Sequence, residues 1–151
     1  MKIKLIFLGK KKNNNLNDLI EKYFLRIKKE ISLELVYIPS FNKKNNLNFS
    51  ADDFVVLLDE NGEQLNSKSF AKKLKKIIQS FKKILIIVGD AYGFPEHLHN
   101  RSNFTISLSK LTLPHEIARL IIIEQLYRAV TIIKNHPYHH EWNNFSFKQW
   151  K

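Results

Sequence analysis

The chain has 151 residues, of which 44% are apolar, so it is long enough to form one domain around a hydrophobic core. It contains no cysteine, which excludes a disulfide scaffold and metal sites built on thiolates, and which favours a cytoplasmic setting. The first apolar run, residues 3–8, is interrupted by Lys4 and is too short for a signal peptide or a membrane-spanning helix.

The formal net charge is +11 at pH 7, which favours a polyanionic partner, with nucleic acid as the first candidate. The excess has a competing explanation in composition. Lysine (21 residues) far exceeds arginine (4 residues), and asparagine and isoleucine are abundant, as in proteins encoded by AT-rich genomes. The charge alone therefore leaves both explanations open.

Strand and helix patterns alternate from the start of the chain. A strand at residues 2–8 is followed by an amphipathic helix at 16–29, whose apolar residues recur at helical spacing. A second strand at 33–38 ends before Pro39, and the polar segment 40–50 is predicted to be a loop.

The middle of the chain continues this alternation. A third strand is predicted at residues 54–58, followed by a turn at 59–62 in which Gly62 supplies a positive φ. Ser67 is predicted to cap a basic helix. The continuous apolar run at 84–88 is typical of a strand buried in a parallel sheet.

A short fifth strand at residues 104–106 precedes a long helix at 114–134, with proline tolerated in its first turn. Alternating strands and helices predict an α/β fold with a mainly parallel sheet. Because the chain shows neither a repeat nor a linker, residues 1–151 are predicted to form a single domain.

The last helix is apolar around most of its circumference, which requires burial on most sides. A homodimer interface would provide that burial, with Ile122 or Ile123 facing the partner. Central burial within one chain is the competing interpretation.

Three polar loops in the last third of the chain hold most of the candidate functional residues. Residues 86–94 read IIVGDAYGF, residues 107–115 read SLSKLTLPH, and residues 135–141 read NHPYHHE. The glycines of the first loop follow a buried strand, where open α/β sheets bind ligands. Their spacing is not the dinucleotide-binding fingerprint, so taken alone they are more typical of a plain strand-ending turn.

Together with the opening segments 1–6 and 8–10, these loops resemble the RlmH family of SPOUT methyltransferases. The resemblance implies a homodimeric enzyme that uses S-adenosyl-L-methionine to methylate N3 of a pseudouridine in helix 69 of 23S rRNA, within the assembled ribosome. It also implies an α/β knot, a mainly parallel sheet with a C-terminal trefoil knot, which periodicity alone would never predict.

The resemblance also assigns site residues. Cofactor binding falls on Leu58, Gly89, Leu108, Ser109, Lys110, Leu111, Thr112 and Leu113. The family often has a second glycine where this chain has Asp90, which puts the exact turn of the first loop in doubt.

The tail matches the family ending except that His140 replaces an arginine. Tyr138 and His139 are predicted to be catalytic, orienting the target base or assisting its deprotonation. RNA contacts are assigned to Arg119, Arg128, His136 and His140. For Arg128 an ion pair with Glu124, four residues earlier, is the alternative.

A metal site at His136, His139 and His140 is the alternative to this interpretation, but no metal is predicted because neither cysteine nor paired carboxylates lie nearby. Residues 142–151 extend beyond the usual family end and are predicted to pack on the body or on a partner. Two other functions stay open: methylation of another RNA such as tRNA, and a non-catalytic role in RNA binding or ribosome assembly.

Overall fold

A computed structural model describes residues 2–39, 49–90 and 93–140. The predicted loop residues 40–48 and the extension 142–151 lie outside the described residues. In chain order the elements are β1 (Lys2–Leu8), α1 (Asn15–Lys28), β2 (Ser32–Ile38), β3 (Asp53–Gln64), α2 (Ser67–Ser80), β4 (Lys83–Val88), α3 (Glu96–Arg101), β5 (Phe104–Ser107) and α4 (His115–Ile133).

The five strands form one parallel sheet in the order β2-β1-β4-β3-β5, which confirms the predicted fold class. The central strand β4 is buried on both faces from Ile84 to Val88, as its continuous apolar run predicted. Helix α3 was not predicted, because six residues are too few to show a helical period. The C-terminal trefoil knot stays a prediction.

Helices cover both faces of the sheet. Helices α1, α2 and α4 form one layer, and their apolar residues, such as Ile20, Leu74 and Ile122, pack with alternate strand residues in the larger core. On the opposite face, Leu98 of α3 packs with the other strand residues, including Leu57. Among the described residues, no helix is long and apolar enough to cross a membrane.

Two predicted boundaries were wrong. The residues 59–62 do not end β3: the strand register against β5 shifts between Leu58 and Glu63, so these four residues bulge out and the strand then resumes. Gly62 does not have a positive φ. Glycine is required at this position because a Cβ would lie only 2.7 Å from the backbone carbon of Ile106. We call 59–62 the β3 bulge.

The cap of α2 was misplaced by one residue. The side chain of Asn66 accepts a hydrogen bond from the backbone N–H of Ser69 at 2.8 Å, so Asn66 is the N-cap. Both residues are good caps, and only the backbone geometry decides between them. Ser67 instead donates its hydroxyl to Gln125 of α4 at 2.7 Å, which joins the two helices.

Helix α4 lies in the layer with α1 and α2, and its inward face enters the larger core. Ile122 and Ile123 are 1% and 0% exposed in the single chain, so the prediction that one of them faces a partner was wrong. The outward face carries Ile117 and Ile121, which are only half-buried and do not pack against the core. Burial within the chain therefore accounts for most, but not all, of the apolar circumference.

Candidate active site

A cavity of about 610 Å³ lies at the carboxyl ends of β3, β4 and β5. This is the edge at which open parallel sheets bind ligands, and the volume is within the range of small-molecule sites. Its lining residues are Leu58, then Asp59, Glu60 and Asn61 of the β3 bulge, then Val88, Gly89, Asp90, Gly93, Phe94, Ser107, Leu108, Ser109, Leu111, Thr112, Leu113, Pro114, His115 and Ala118.

The fold brings together seven of the eight predicted cofactor-binding residues in this lining. The exception is Lys110, an exposed residue that is not among those that line the cavity. Three segments far apart in sequence meet here because parallel strands present their carboxyl ends at one edge. The sequence motifs carried no sign of the residues from the β3 bulge, which also line the cavity.

The loop after β5 is shaped by its own serines. The buried hydroxyl of Ser107 donates to the carbonyl oxygen of Ser109 at 2.9 Å. The hydroxyl of Ser109 in turn accepts from the backbone N–H of Leu111 at 2.9 Å. These bonds hold the loop without partners from elsewhere, and Leu111 stands 75% exposed at the cavity.

A glycine is required at position 89 because the ring of Phe94 lies close to it. A Cβ at this position would lie 3.2 Å from Cζ of Phe94, tighter than an ordinary contact between the two atoms. The ring of Phe94 also makes an edge-to-face contact with His99, at 5.9 Å between centroids. His99 lies 3.6 Å from the carboxylate of Asp59 in the β3 bulge. These contacts thus connect two walls of the cavity, the Gly89 turn and the β3 bulge.

The lining suits a partly apolar cation. Apolar walls come from residues such as Leu58 and Leu113, while carboxylates come from Asp59, Glu60 and Asp90. S-adenosylmethionine has a flat base, a positive sulfonium and an ammonium group, so this combination of apolar and acidic residues fits it. The group would be held by the β3 bulge, the Gly89 turn and the loop after β5.

The tail folds back on α1 and α4, away from the cavity. The hydroxyl of Tyr138 donates to Oε1 of Glu124 at 3.2 Å and lies 3.4 Å from the hydroxyl of Tyr23. Its ring packs edge-on against Tyr127, at 4.8 Å between centroids. None of residues 135–140 lines the cavity, whose last lining residue is Ala118. Glu124 lies six residues further along α4, about 9 Å at 1.5 Å per residue.

Arg128 joins the tail to α4. Its Nη2 donates to Oε1 of Glu124 at 2.7 Å, so the alternative of an intrahelical ion pair is confirmed. Its Nη1 lies 3.1 Å from Nδ1 of His139. Because a guanidinium has only donors, Nδ1 must accept in this arrangement, which leaves the imidazole proton on Nε2. The pair therefore fixes both the position and the tautomer of His139.

The surroundings of Tyr138 keep its hydroxyl protonated. Burial raises the pKa of Tyr138, and the hydrogen bond with Tyr23 and the nearby Glu124 carboxylate raise it further. A phenol with a raised pKa donates a hydrogen bond at neutral pH but does not accept a proton. Of the two roles predicted for Tyr138, orientation of the base is the one that these surroundings favour.

Arg119 is not available to RNA in this subunit. Its side chain is 3% exposed, and its Nη2 and Nη1 donate to the carbonyl oxygens of Leu8 and Lys10 at 2.6 and 3.3 Å. Burial lowers its pKa from the ordinary arginine value. Gly9 leaves room for it: φ is +110°, and a Cβ would lie 2.7 Å from Nη2. The predicted RNA contact is corrected to a structural clamp on the loop after β1.

The other predicted RNA contacts lie at the surface. His136 and His140 are exposed, and Nε2 of His136 is 3.7 Å from the carboxylate of Glu30. In the described part of the chain, no three histidine, aspartate or glutamate side chains are gathered in the manner of a metal site.

Fold and cavity define an open-sheet α/β protein with a small-molecule site at the carboxyl edge of its strands. The sequence then gives the family: residues 1–139 match the family model described as "Predicted SPOUT methyltransferase", and the chain belongs to this family. Its members are methyltransferases that use S-adenosylmethionine.

Relatives of known name match nearly end to end. A protein from Christiangramia forsetii is 40% identical, covering 93% of this chain and 99% of that protein. One from Dictyoglomus thermophilum is 35% identical, covering 93% and 100%. Both are named ribosomal RNA large subunit methyltransferase H.

A solved structure, of a probable methylase family protein from Haemophilus influenzae Rd KW20, is similar in fold. Its TM-score is 0.56 at 13% identity, covering 98% of this chain and 73% of that one. At this identity the likeness supports the fold alone.

Proposed function

We propose that this methyltransferase acts in the cytoplasm on 23S rRNA of the assembled ribosome, methylating N3 of a pseudouridine in helix 69. The observation that carries the proposal is the near-complete match to relatives named for large-subunit rRNA methylation. The cavity supports it, since it joins all three strand ends to which the family resemblance assigns the cofactor.

The chemistry asks two things of the chain. When bound, S-adenosylmethionine supplies an electrophilic methyl group on sulfur. The residues around the cavity must hold it so that the base nitrogen approaches in line, at roughly 3–3.5 Å. The N3–H must also lose its proton. Tyr138 stays protonated and is assigned to positioning the base by hydrogen bonding, beside His139, and the proton is assigned to solvent.

The proposal includes a homodimer. In the described chain the tail does not line its own cavity, whereas the half-buried Ile117 and Ile121 of α4 lie within one helical turn of the lining residue Ala118. A second copy docked on this outward face of α4 would cover these residues and bring its tail towards the cavity. Each site would then combine the cofactor loops of one subunit with the tail of the other.

The test of function is the rRNA of a strain from which the gene is deleted. Mass spectrometry of 23S rRNA fragments should show the loss of one methyl group, from a pseudouridine in helix 69, and its return on complementation. Unchanged 23S rRNA would contradict the proposal, and a methyl group lost from tRNA instead would favour the other RNA substrate.

The cofactor site is tested by calorimetry with S-adenosylmethionine. We expect Gly89→Ala to weaken binding about three- to tenfold, near 1 kcal/mol, because the new Cβ displaces the ring of Phe94. In the double variant with Phe94→Leu the displaced ring is gone, so part of the affinity should return. If the parent protein binds no cofactor, a non-catalytic RNA-binding factor becomes the better interpretation.

A further inference from the structure

Helix α2 presents a continuous face of lysines to solvent. Lys68, Lys72, Lys75 and Lys76 are all exposed. Lys72 follows Lys68 by four residues, and Lys75 and Lys76 follow Lys72 by three and four, so all of them lie on one side of the helix. The opposite side, which includes Leu74, is buried in the core. We call these four residues the α2 lysine face.

Three of the four lysines of this face have no acidic partner among the residues that the structure describes. Helix α2 contains no acidic residue, and within the described ranges no ion pair is made by Lys72, Lys75 or Lys76. By contrast, Lys2 and Lys134 each contact a glutamate, at 2.9 and 3.1 Å. Like charges four residues apart destabilise a helix by a few tenths of a kcal/mol, roughly 0.2–0.5 per pair. The fold therefore gains nothing from this arrangement.

Composition bias does not explain it. A bias towards lysine raises lysine in every exposed segment, but it does not remove acidic residues from one helix. Helix α1 carries Asp18 and Glu21 among its basic residues, and α4 carries Glu116 and Glu124. Only α2 is wholly positive among the helices that the structure describes.

The lysine face starts near the cavity. Helix α2 follows β3 directly, and the β3 bulge lines the cavity. From Lys68 to Lys76 the face runs for about 12 Å along the helix axis. The fifth lysine of α2, Lys73, faces the sheet instead, with Nζ 3.7 Å from the centroid of the Phe104 ring.

We propose that the α2 lysine face binds the phosphodiester backbone of the RNA substrate, next to the nucleotide that enters the active site. Lysines spaced by one helical turn lie on the scale of successive phosphates in one strand. Such contacts carry no sequence information, and they fix the position of the RNA and raise its affinity. This inference rests on the proposed function and adds a surface outside the cavity.

The test uses the triple variant Lys72→Gln, Lys75→Gln and Lys76→Gln, with ribosomes from the deletion strain as the probe. Loss of three phosphate contacts should weaken binding at least tenfold near physiological salt, roughly as expected for such contacts. It should also lower the slope of log affinity against log salt by about two, at roughly 0.7 per contact with a single strand. KM for ribosomes should rise, while kcat and the cofactor affinity stay unchanged.

Two control variants accompany it. Replacing the same three lysines with arginine keeps the charge and should keep the affinity and the salt slope. The variant Lys22→Gln, Lys28→Gln and Lys29→Gln makes the same change in net charge on α1, at the other side of the helical layer, and should bind almost as well as the parent. Circular dichroism should show both glutamine variants folded, since all six side chains are exposed.

The outcomes separate this inference from the proposed function. If the parent methylates ribosomes and the α2 variant binds them with unchanged affinity and slope, the inference alone is overturned. An equal loss of ribosome affinity in the α1 control would also overturn it, because binding would then depend on the net charge of the protein and not on a defined surface. If the α2 variant loses affinity for ribosomes but not for protein-free 23S rRNA, the face binds a ribosomal protein and the inference is wrong. If the parent neither binds nor methylates ribosomes, the proposed function itself fails.

Discussion

At the scale of single residues, the two arginines of α4 show how one residue type takes different roles. Arg119 is buried and clamps the carbonyl oxygens of Leu8 and Lys10, while Arg128 pairs with Glu124 and contacts His139. Spacing within the helix predicted the second role, because its partner lies four residues away. The partners of Arg119 lie more than 100 residues away in sequence, so no local pattern reveals them.

The clamp leads to a stability prediction. We expect Arg119→Met to lower the free energy of unfolding by about 1–3 kcal/mol, because it leaves two backbone carbonyl groups without their charged donor. Urea denaturation followed by circular dichroism measures it. Arg128→Met is the matched control and should cost less, about 1 kcal/mol or below, since its ion pair is partly exposed.

A different result would support the predicted RNA contact of Arg119 instead of the clamp. If Arg119→Met unfolds at the same urea concentration as the parent but binds ribosomes more weakly, Arg119 contacts RNA after all, and the clamp is not important for stability.

At the scale of elements, the β3 bulge shows how an interruption in a strand builds part of a site. Leu58 and Glu63 both pair with Ile106, so the strand register shifts by five residues, and the displaced Asp59, Glu60 and Asn61 line the cavity. The side chain of Asp59 accepts from the backbone N–H of Asn61 at 2.9 Å, so the segment has the local chemistry of a turn. Sequence therefore predicted a turn, whereas pairing with β5 makes it a bulge.

Gly62 is the residue on which this bulge depends. We expect Gly62→Ala to destabilise the protein by about 1–3 kcal/mol, because the Cβ would lie 2.7 Å from the backbone of Ile106 and 2.8 Å from that of Thr105. Cofactor affinity should fall too, since a moved bulge changes the cavity wall. Thermal unfolding and calorimetry measure the two effects.

The exposed Glu63→Ala, one residue further along β3, is the control and should leave stability within about 0.5 kcal/mol. If Gly62→Ala changes stability as little as Glu63→Ala does, the bulge and β5 can move apart at little cost, and the prediction is wrong.

At the scale of the whole molecule, the open question is what covers the outward face of α4. Ile117 and Ile121 are half-buried apolar residues that are not packed against the core, in a helix whose other sides are. They lie within one helical turn of the lining residue Ala118, while Tyr138 and the other described tail residues do not line the cavity. A dimer interface on this face would cover the apolar residues and would bring the tail of a second copy towards the cavity. For this reason the proposed function includes a second copy.

The dimer prediction uses Ile117→Glu together with Ile121→Glu. A charge left unpaired in an interface costs several kcal/mol by order of magnitude, so the variant should sediment as a monomer. Its cofactor affinity should change little if the cavity is formed within one subunit, while methylation should be lost with the second tail. Analytical ultracentrifugation at micromolar concentration is the measurement.

Leu25→Glu is the control, because Leu25 is a 58% exposed apolar residue on α1 and its replacement should leave the dimer intact. A parent protein that is itself monomeric at micromolar concentration would show the homodimer to be wrong.

The sequence by itself determined the fold class and most of its elements. Apolar periodicity reports burial on one face or two, and the continuous run at 84–88 marked the central strand correctly. Motifs at 86–94 and 107–115 located most of the cavity, because each loop follows a strand and parallel strands end at one edge. Family resemblance, confirmed by the match over residues 1–139, supplied the chemistry that periodicity cannot.

Only the tertiary structure decided which residues contact one another across long separations. In it Arg119, Ile122 and Ile123 are buried, and the backbone of β5 lies so close to Gly62 that no side chain fits there. It also separated Tyr138 from the cavity although both belong to one run of motifs. The physical reason is common to all of these: helix and strand periods specify which face is apolar, whereas the neighbour that covers it is set by packing between distant segments.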